Sequence, residues 1–213
     1  MKSTLFNMVA VLFTITLIAS AGVGAVNMIT EDAIAEANRQ ATVAAVANVL
    51  PAFEKSEMST MTIDEMPINI YTAVDGSGAV VGYAVETMTM SGFSGKVRMM
   101  VGFDAEGTIL NVNVLEQNET PGLGSKMCDE GNVLLASVQG KNPANLKLKV
   151  KKDGGDIDAL TAATISSRAY ADAVARAYEA FKVASGAQES TDGVSGATAT
   201  HEGHDAQEGG DNE

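Results

Sequence analysis

The chain of 213 residues has one cysteine, two histidines, no tryptophan and only 5% aromatic side chains. Each scarcity removes a class of chemistry. Both histidines, His201 and His204, lie near the C-terminus. Everything before them therefore lacks an imidazole to serve as general base, zinc ligand or haem ligand. The lone Cys128 cannot hold an iron–sulfur cluster, close an intrachain disulfide or make a CxxCH haem attachment. Basic residues are also few, 14 against 27 acids for a net charge of −13, which gives no surface suited to nucleic acid. No GxGxxG or Walker A pattern is present, so nicotinamide binding and nucleotide hydrolysis find no support. Any redox chemistry here has to be carried by an organic cofactor.

Charge is also absent from one long stretch. Residues 3–30 contain no ionisable side chain, and Leu5 to Met28 reads LFNMVAVLFTITLIASAGVGAVNM. That is enough to span a bilayer, which takes about 20 apolar residues. The Ala19-Ser20-Ala21 triplet fits a signal-peptidase site, but the apolar run exceeds the ~7–15 residues usual in a signal peptide. The reading is a retained anchor over residues 1–30. Lys2 before it and Glu31 and Asp32 after it place the amino terminus inside and the body outside the cytoplasm. At the other end, residues 185–213 are mostly Gly, Ser, Thr, Ala and acids, with no Lys or Arg. Such a composition predicts a disordered acidic tail.

Between anchor and tail the patterning predicts an α+β domain on an antiparallel sheet. Residues 31–50 carry Ile34, Ala37, Ala41, Val46 and Val49 at helical spacing before Pro51, a helix leading out of the membrane. Residues 52–67 show no clear period and read as a loop, making 31–67 a membrane-proximal segment and 68–184 the folded domain. Met58, Met61 and Met66 in it suit packing better than copper ligation. Two hairpins follow, Ile68–Val74 with Ala79–Met88 and Lys96–Phe103 with Thr108–Leu115, each across an acidic glycine turn. In the last strand Leu110, Val112 and Val114 alternate with Asn111 and Asn113, predicting one buried and one wet face. A short helix over Asp129–Val138 and a strand through Leu146, Leu148 and Val150 come next. Lys141, Lys147, Lys149, Lys151 and Lys152 read as the solvent face of that strand, at a sheet edge. The last element is a helix over Ser166–Val183, burying Tyr170, Val174, Ala177, Tyr178 and Phe181 and leaving Arg168, Asp172, Arg176 and Glu179 mostly elsewhere.

Hydroxyls crowd the start of that helix: Thr161, Thr164, Ser166 and Ser167, with Asp158 upstream. Capping of free backbone N–H groups is sufficient reason for them. The same helix terminus also favours a phosphate, and Ala162 and Ala163 leave room for one. Physics allows the phosphate site without requiring it.

The stretch Asp158-Ala-Leu-Thr161-Ala-Ala-Thr164-Ile-Ser166 resembles the flavinylation motif D-x-x-[ST]-[GA]-A-T-x-[ST] of FMN-binding domains. The features before it are similar too: the N-terminal anchor, Gly92-Phe93-Ser94-Gly95, and Glu119-Thr120-Pro121-Gly122-Leu123-Gly124. Over about residues 1–182 the order resembles the G-subunit family of the Rnf (Rsx) ion-translocating oxidoreductase complexes, whose relative is the C subunit of the sodium-pumping NADH:quinone reductase. The resemblance implies FMN esterified through its phosphate to Thr164 by a flavin transferase that recognises Asp158. Thr161, Ala163 and Ile165 would flank the phosphate, and Glu119, Thr120, Gly122, Leu123 and Gly124 would lie beside the isoalloxazine. Without the resemblance, that loop reads as a plain Pro-Gly turn. Ala162 stands where many members have Gly. In the tail, Asp192 to Thr200 fits the same pattern, making Thr198 a secondary acceptor without a helix behind it. His201 and His204, spaced H-x-x-H, read as solvated tail residues and not as metal ligands.

What the resemblance implies is a single-pass protein of the inner (cytoplasmic) membrane with its soluble domain on the periplasmic side. It would be an electron-transfer subunit with covalent FMN, partnered by the other subunits of an ion-translocating complex and not an enzyme by itself. Two other readings stay open: a membrane-tethered structural or adhesion protein of pilin-like plan, and an FMN carrier of a different extracytoplasmic reductase.

Overall fold

The computed structural model describes residues 5–186. A single helix, α1, runs from Leu5 to Val49, 45 residues. The apolar run and the Ala-rich segment after it join because no Pro separates them and because Thr30, a residue type that can cap a helix, turns its hydroxyl back to the Val26 carbonyl at 2.9 Å. The last helical bond runs from the Leu50 N–H to the Val46 carbonyl, and Pro51, with no N–H to donate, stops the helix. At about 1.5 Å per residue α1 is ~67 Å long, against a hydrocarbon core of about 30 Å. Among the described residues it is the helix long and apolar enough to cross a membrane.

Five antiparallel strands follow in sequential order: β1 (Lys55–Ile63), β2 (Met66–Val74), β3 (Val80–Gly92), β4 (Gly95–Phe103) and β5 (Ile109–Gln117). After them come a 3-10 turn (Gly124–Cys128), the short α2 (Val133–Val138) and α3 (Thr164–Ala184). Side chains alternate across the sheet, so each face has its own helix. On one face Ile68, Ile70, Val85, Val97, Met99, Val101 and Phe103 meet Tyr170, Val174, Ala177 and Phe181 of α3. On the other the end of α1, with Ala45, Val46, Val49 and Leu50, packs on Ala73, Ala84 and Met100. Gly102 lets that helix approach, because a Cβ there would collide with the Val49 carbonyl oxygen. The Asn111 side-chain amide adds a bond to the Asn48 carbonyl at 3.1 Å.

Several expectations need correction. Residues 55–63, read as loop, form β1, paired along its length with β2. Its burial is almost uniformly low, so no alternation reached the sequence; pairing with β2, not a buried face, makes it a strand. Its turn residues Asp64 and Glu65 both have positive φ, 50° and 62°, as a two-residue I′ hairpin requires, but without the usual Asn-Gly signal. Leu110 does not share a face with Val112 and Val114. A bulge between Gly102 and Phe103 puts Leu110 in the α1 cluster and the two valines against the α3 core. Leu146–Val150 is not a strand. Val150 makes one isolated parallel bridge to Ile157, and Lys147 is tied to Asp156 through both backbone and side chain. The lysines therefore ride on an irregular loop instead of a sheet edge. Finally, Arg176 is only 10% exposed, bound to Asp172 and the Met66 sulfur.

Candidate functional site

Three segments far apart in sequence meet at Glu119. Its carboxylate, 4% exposed, accepts from the Ser94 N–H at 3.0 Å in the β3–β4 turn and from the Ser166 hydroxyl in the first turn of α3. Its own N–H donates to the Gln117 side chain at 2.7 Å, fixing the exit from β5. The approach is close enough to need glycine on two sides. A Cβ on Gly92 would come within 2.7 Å of one carboxylate oxygen, and one on Gly124 within 2.8 Å of the other. Glu119 thus joins the GFSG turn, the ETPGLG loop and the threonine motif. A buried carboxylate is retained only where donors satisfy it, and here those donors are a backbone N–H and a serine.

Thr164 is the first residue of α3 and half-buried. The expected hydroxyl cap is missing: the N-cap is Ala163, with no side-chain bond to the helix end. Ser166 is turned to Glu119. Ser167 donates to the Ala163 carbonyl and accepts from the Leu160 N–H, each at 2.9 Å. The hydroxyls brace the approach to the helix instead of closing it, which leaves its first-turn N–H groups without a side-chain acceptor among the described residues. Just before it, Ala162 has φ of 59°, a left-handed conformation that suits glycine.

The other motif residues are distributed around this end. Asp158 pairs with Lys151 at 2.7 Å, and its N–H donates to the Ser137 hydroxyl at 2.9 Å. The lysine contact holds its carboxyl below the ordinary carboxylate range. Ala163 is buried, Thr161 exposed and Ile165 46% exposed. In the ETPGLG loop the Thr120 carbonyl accepts from the N–H groups of Leu123 and Ser125, and Gly122 has φ of 76°. Thr120 and Gly122 are exposed, Leu123 is 39% exposed and Gly124 is buried. The acidic tail expected from the composition, with Thr198, His201 and His204, lies outside the described residues.

Sequence reasoning passed over several contributors. Ser94 acts through its backbone, so its side chain carries no signal. Ser166 was legible as the last hydroxyl of the motif but had no assigned partner. Lys152 donates to the Thr164 hydroxyl at 3.2 Å, and Arg168 grips Asp153 with two bonds of 2.7 and 2.8 Å, holding that carboxyl low. Each residue that meets Glu119 also has an exposed apolar neighbour: Phe93 beside Ser94, Leu123 beside Gly124 and Ile165 beside Ser166. A groove of about 630 Å³ between the lysine loop and the middle of α3, lined by Leu146, Leu148, Ala175 and Tyr178, includes none of the predicted flavin residues.

This combination suits a phosphate carried by an apolar, planar group: an open helix N-terminus, a hydroxyl and an ammonium at one point, with exposed Ile165 beside them and exposed Phe93 and Leu123 on the segments that meet at Glu119. Residues 92–179, from the GFSG turn through most of α3, match the family model of the FMN-binding domain, and that is the class of domain the sheet and site define. The chain is 35% identical over 173 residues to the G subunit of the ion-translocating oxidoreductase complex of Shewanella amazonensis, covering 75% of this chain and 80% of the relative. The corresponding protein of Shewanella baltica is 32% identical over 83% of this chain and 89% of its own. The G subunit of the Na(+)-translocating ferredoxin:NAD(+) oxidoreductase complex of Acetobacterium woodii is 30% identical over 77% and 85%. The chain therefore belongs to the family of G subunits of ion-translocating oxidoreductase complexes. It also matches the crystal structure of Shewanella oneidensis NqrC at 21% identity and a TM-score of 0.37, covering 62% of this chain and 65% of that one, a likeness too low to carry an argument.

Proposed function

We propose that this protein is an FMN-bearing electron-transfer subunit of a membrane complex that couples electron flow to ion translocation, with the FMN phosphate esterified to Thr164. The observation that carries the reading is the meeting of three separate segments on the buried Glu119, which holds Ser166, two residues after Thr164 in the first turn of α3. FMN supplies transfer of one or two electrons when bound. The chain's own residues attach it, orient it and limit its exposure. The first turn of α3 and the Lys152 ammonium face the phosphate. Phe93, Leu123 and Ile165, exposed in the bare protein, offer apolar surface to the ring system, and burying that surface is favourable by about 25 cal/mol per Å². Asp158, with Thr161 and Ala163, forms the approach that the flavin transferase reads.

Covalent attachment has a physical reason on the extracytoplasmic side of the membrane, where dissociated FMN would be lost by dilution. Lys2 before the apolar run and Glu31 and Asp32 after it support that side, with α1 as the single span. Reactants are then redox centres in the other subunits, and the ion path belongs to those subunits as well, because charged groups are missing from the apolar part of α1.

The test is the intact mass of the denatured full-length protein, co-produced with a flavin transferase, followed by peptide mapping. A gain of one FMN less one water on the Thr164 peptide is the expected result. A second adduct on Thr198 would make the tail a further carrier. A folded, colourless protein with no adduct would return the chain to a structural or tethering role.

A further inference from the structure

Three consecutive residues of the lysine loop each grip a different residue of the threonine motif or the helix after it. Lys151 pairs with Asp158 at 2.7 Å, Lys152 donates to the Thr164 hydroxyl at 3.2 Å, and Asp153 takes Arg168 at 2.7 Å. The triplet is a 3-10 turn ended by Gly154 in the left-handed conformation, so its side chains leave in different directions from a fixed backbone. Of the three cations in this network, Lys151 and Arg168 are each committed to a carboxylate. Lys152, among the described residues, has no acid within ion-pair distance and rests on the acceptor hydroxyl instead.

We propose that Lys152 is a catalytic residue of flavin attachment: it receives the negative charge that develops on the Thr164 oxygen and then faces the phosphodiester that forms. This rests on the flavinylation reading above. FMN's own phosphate has no good leaving group, so the donor must be a flavin dinucleotide. The Thr164 oxygen forms a bond to the flavin-side phosphorus and the pyrophosphate bond breaks. AMP leaves with the bridging oxygen, and the threonine proton passes to AMP or solvent. No atom changes oxidation state. As the proton leaves, charge accumulates on the oxygen that Lys152 already touches, and a preplaced cation stabilises it without reorganising. The product phosphodiester keeps one negative charge at that position, where a charge-assisted bond is stronger than a neutral one. The paired neighbours hold Lys152 in place, while Asp158 and Asp153 keep Lys151 and Arg168 from competing for the phosphate.

The experiment follows, by intact mass, the rate at which purified full-length apoprotein in detergent is modified by a flavin transferase with FAD as the probe. Lys152→Met should slow the step on the order of tenfold to a hundredfold, the range for loss of a hydrogen bond to a charged group, mainly in the turnover term and not in KM for the protein. Lys152→Arg should restore most of the rate. Lys149→Met, which changes the charge of the same loop by the same amount, should leave it unchanged. Lys152 is exposed, so all three variants should melt with the parent. Modification of Lys152→Met at the parental rate would overturn the proposal. So would equal slowing by Lys149→Met, which would assign the effect to diffuse charge. If the unaltered protein gains no FMN on Thr164, the attachment reading itself fails and the role of Lys152 falls with it.

Discussion

At its C-terminal end α3 lays Phe181 against Phe103 and Tyr83 at ring-centroid distances of 5.0 and 5.3 Å, whereas at its N-terminal end it leaves Thr164 half-buried, Ile165 open and its helix end uncapped. One end is closed by aromatic packing, with Tyr178 stacked on Phe181 at 6.0 Å and Lys182 lying over the Tyr178 ring. The other is held by a carboxylate and a serine, Glu119 and Ser166, beneath an exposed surface. Apolar contacts are non-directional and tolerate little but bulk, so they suit the end that only has to be stable. Hydrogen bonds fix orientation at modest net stability and suit the end that must present one hydroxyl. The helix thus separates anchoring from presentation along its length.

That separation can be broken most sharply from the presenting end. Thr164→Val should remove covalent FMN from this position entirely, read by mass spectrometry. The hydroxyl takes one bond, from exposed Lys152, so unfolding free energy should change by no more than about 0.5 kcal/mol, the range for surface substitutions. A collapse in stability would mean that Thr164 is structural and that the two ends are not separable. The converse change is Phe181→Ala. Truncating this buried side chain should cost about 3–5 kcal/mol, visible as a lower melting temperature of the whole domain, while the folded fraction keeps its modification at Thr164. Loss of modification in protein that is still folded would show that packing at the far end sets the geometry of the first turn.

The same division decided what could be read before the fold was known. The hairpins β2–β3 and β4–β5 and the apolar stripe of α3 were legible because each buries a face, and burial imposes a period on the sequence; α1, buried only at Ala45, Val46 and Val49, was legible from its charge-free apolar run and from Pro51. β1 was not, since only Met61 and Ile63 at its end reach the core and the rest, exposed, is made a strand by its partner. The lysine loop misled for the opposite reason. Leu146, Leu148 and Val150 alternate, but Lys147 is bound to Asp156 and the chain folds back on itself before any sheet edge. At the site, Thr164 and Glu119 stood out through the resemblance of their motifs. Their connection did not, because contacts such as Ser94 N–H to Glu119 span 25 residues and leave no local trace. Arg176 was placed off the apolar stripe, and its guanidinium is held between Asp172 and Met66; the burial of a long side chain on the flank of a stripe is settled by its partners, not by its helical angle.

A smaller effect should come from Ser166→Ala, which removes one of the two donors to the buried Glu119 carboxylate. Leaving that oxygen unpartnered should cost about 1–3 kcal/mol, with slower attachment at Thr164, because the first turn loses its link to the ETPGLG loop. Comparing the melting curve and the attachment rate of this variant with those of Phe181→Ala sharpens the contrast. A smaller stability loss with a larger loss of attachment than in Phe181→Ala is the expected pattern, and parallel losses would merge the two ends into one.

The least effect, and the only stabilising one, should come from Ala162→Gly. Ala162 holds φ of 59° immediately before the uncapped helix end, and a left-handed conformation costs an L-residue about 1–2 kcal/mol. Glycine relieves that cost but brings back unfolded-state freedom worth about 0.4–1 kcal/mol, so the net gain should be on the order of 0.5–1 kcal/mol in chemical denaturation. Because the change falls on the backbone leading into Thr164, it also tests whether strain there is used. Attachment at an unchanged rate would mean that alanine at this point is merely tolerated. A faster rate would show that the left-handed turn limits how the hydroxyl is presented, and a slower one that the alanine methyl helps hold the turn in the shape the transferase needs.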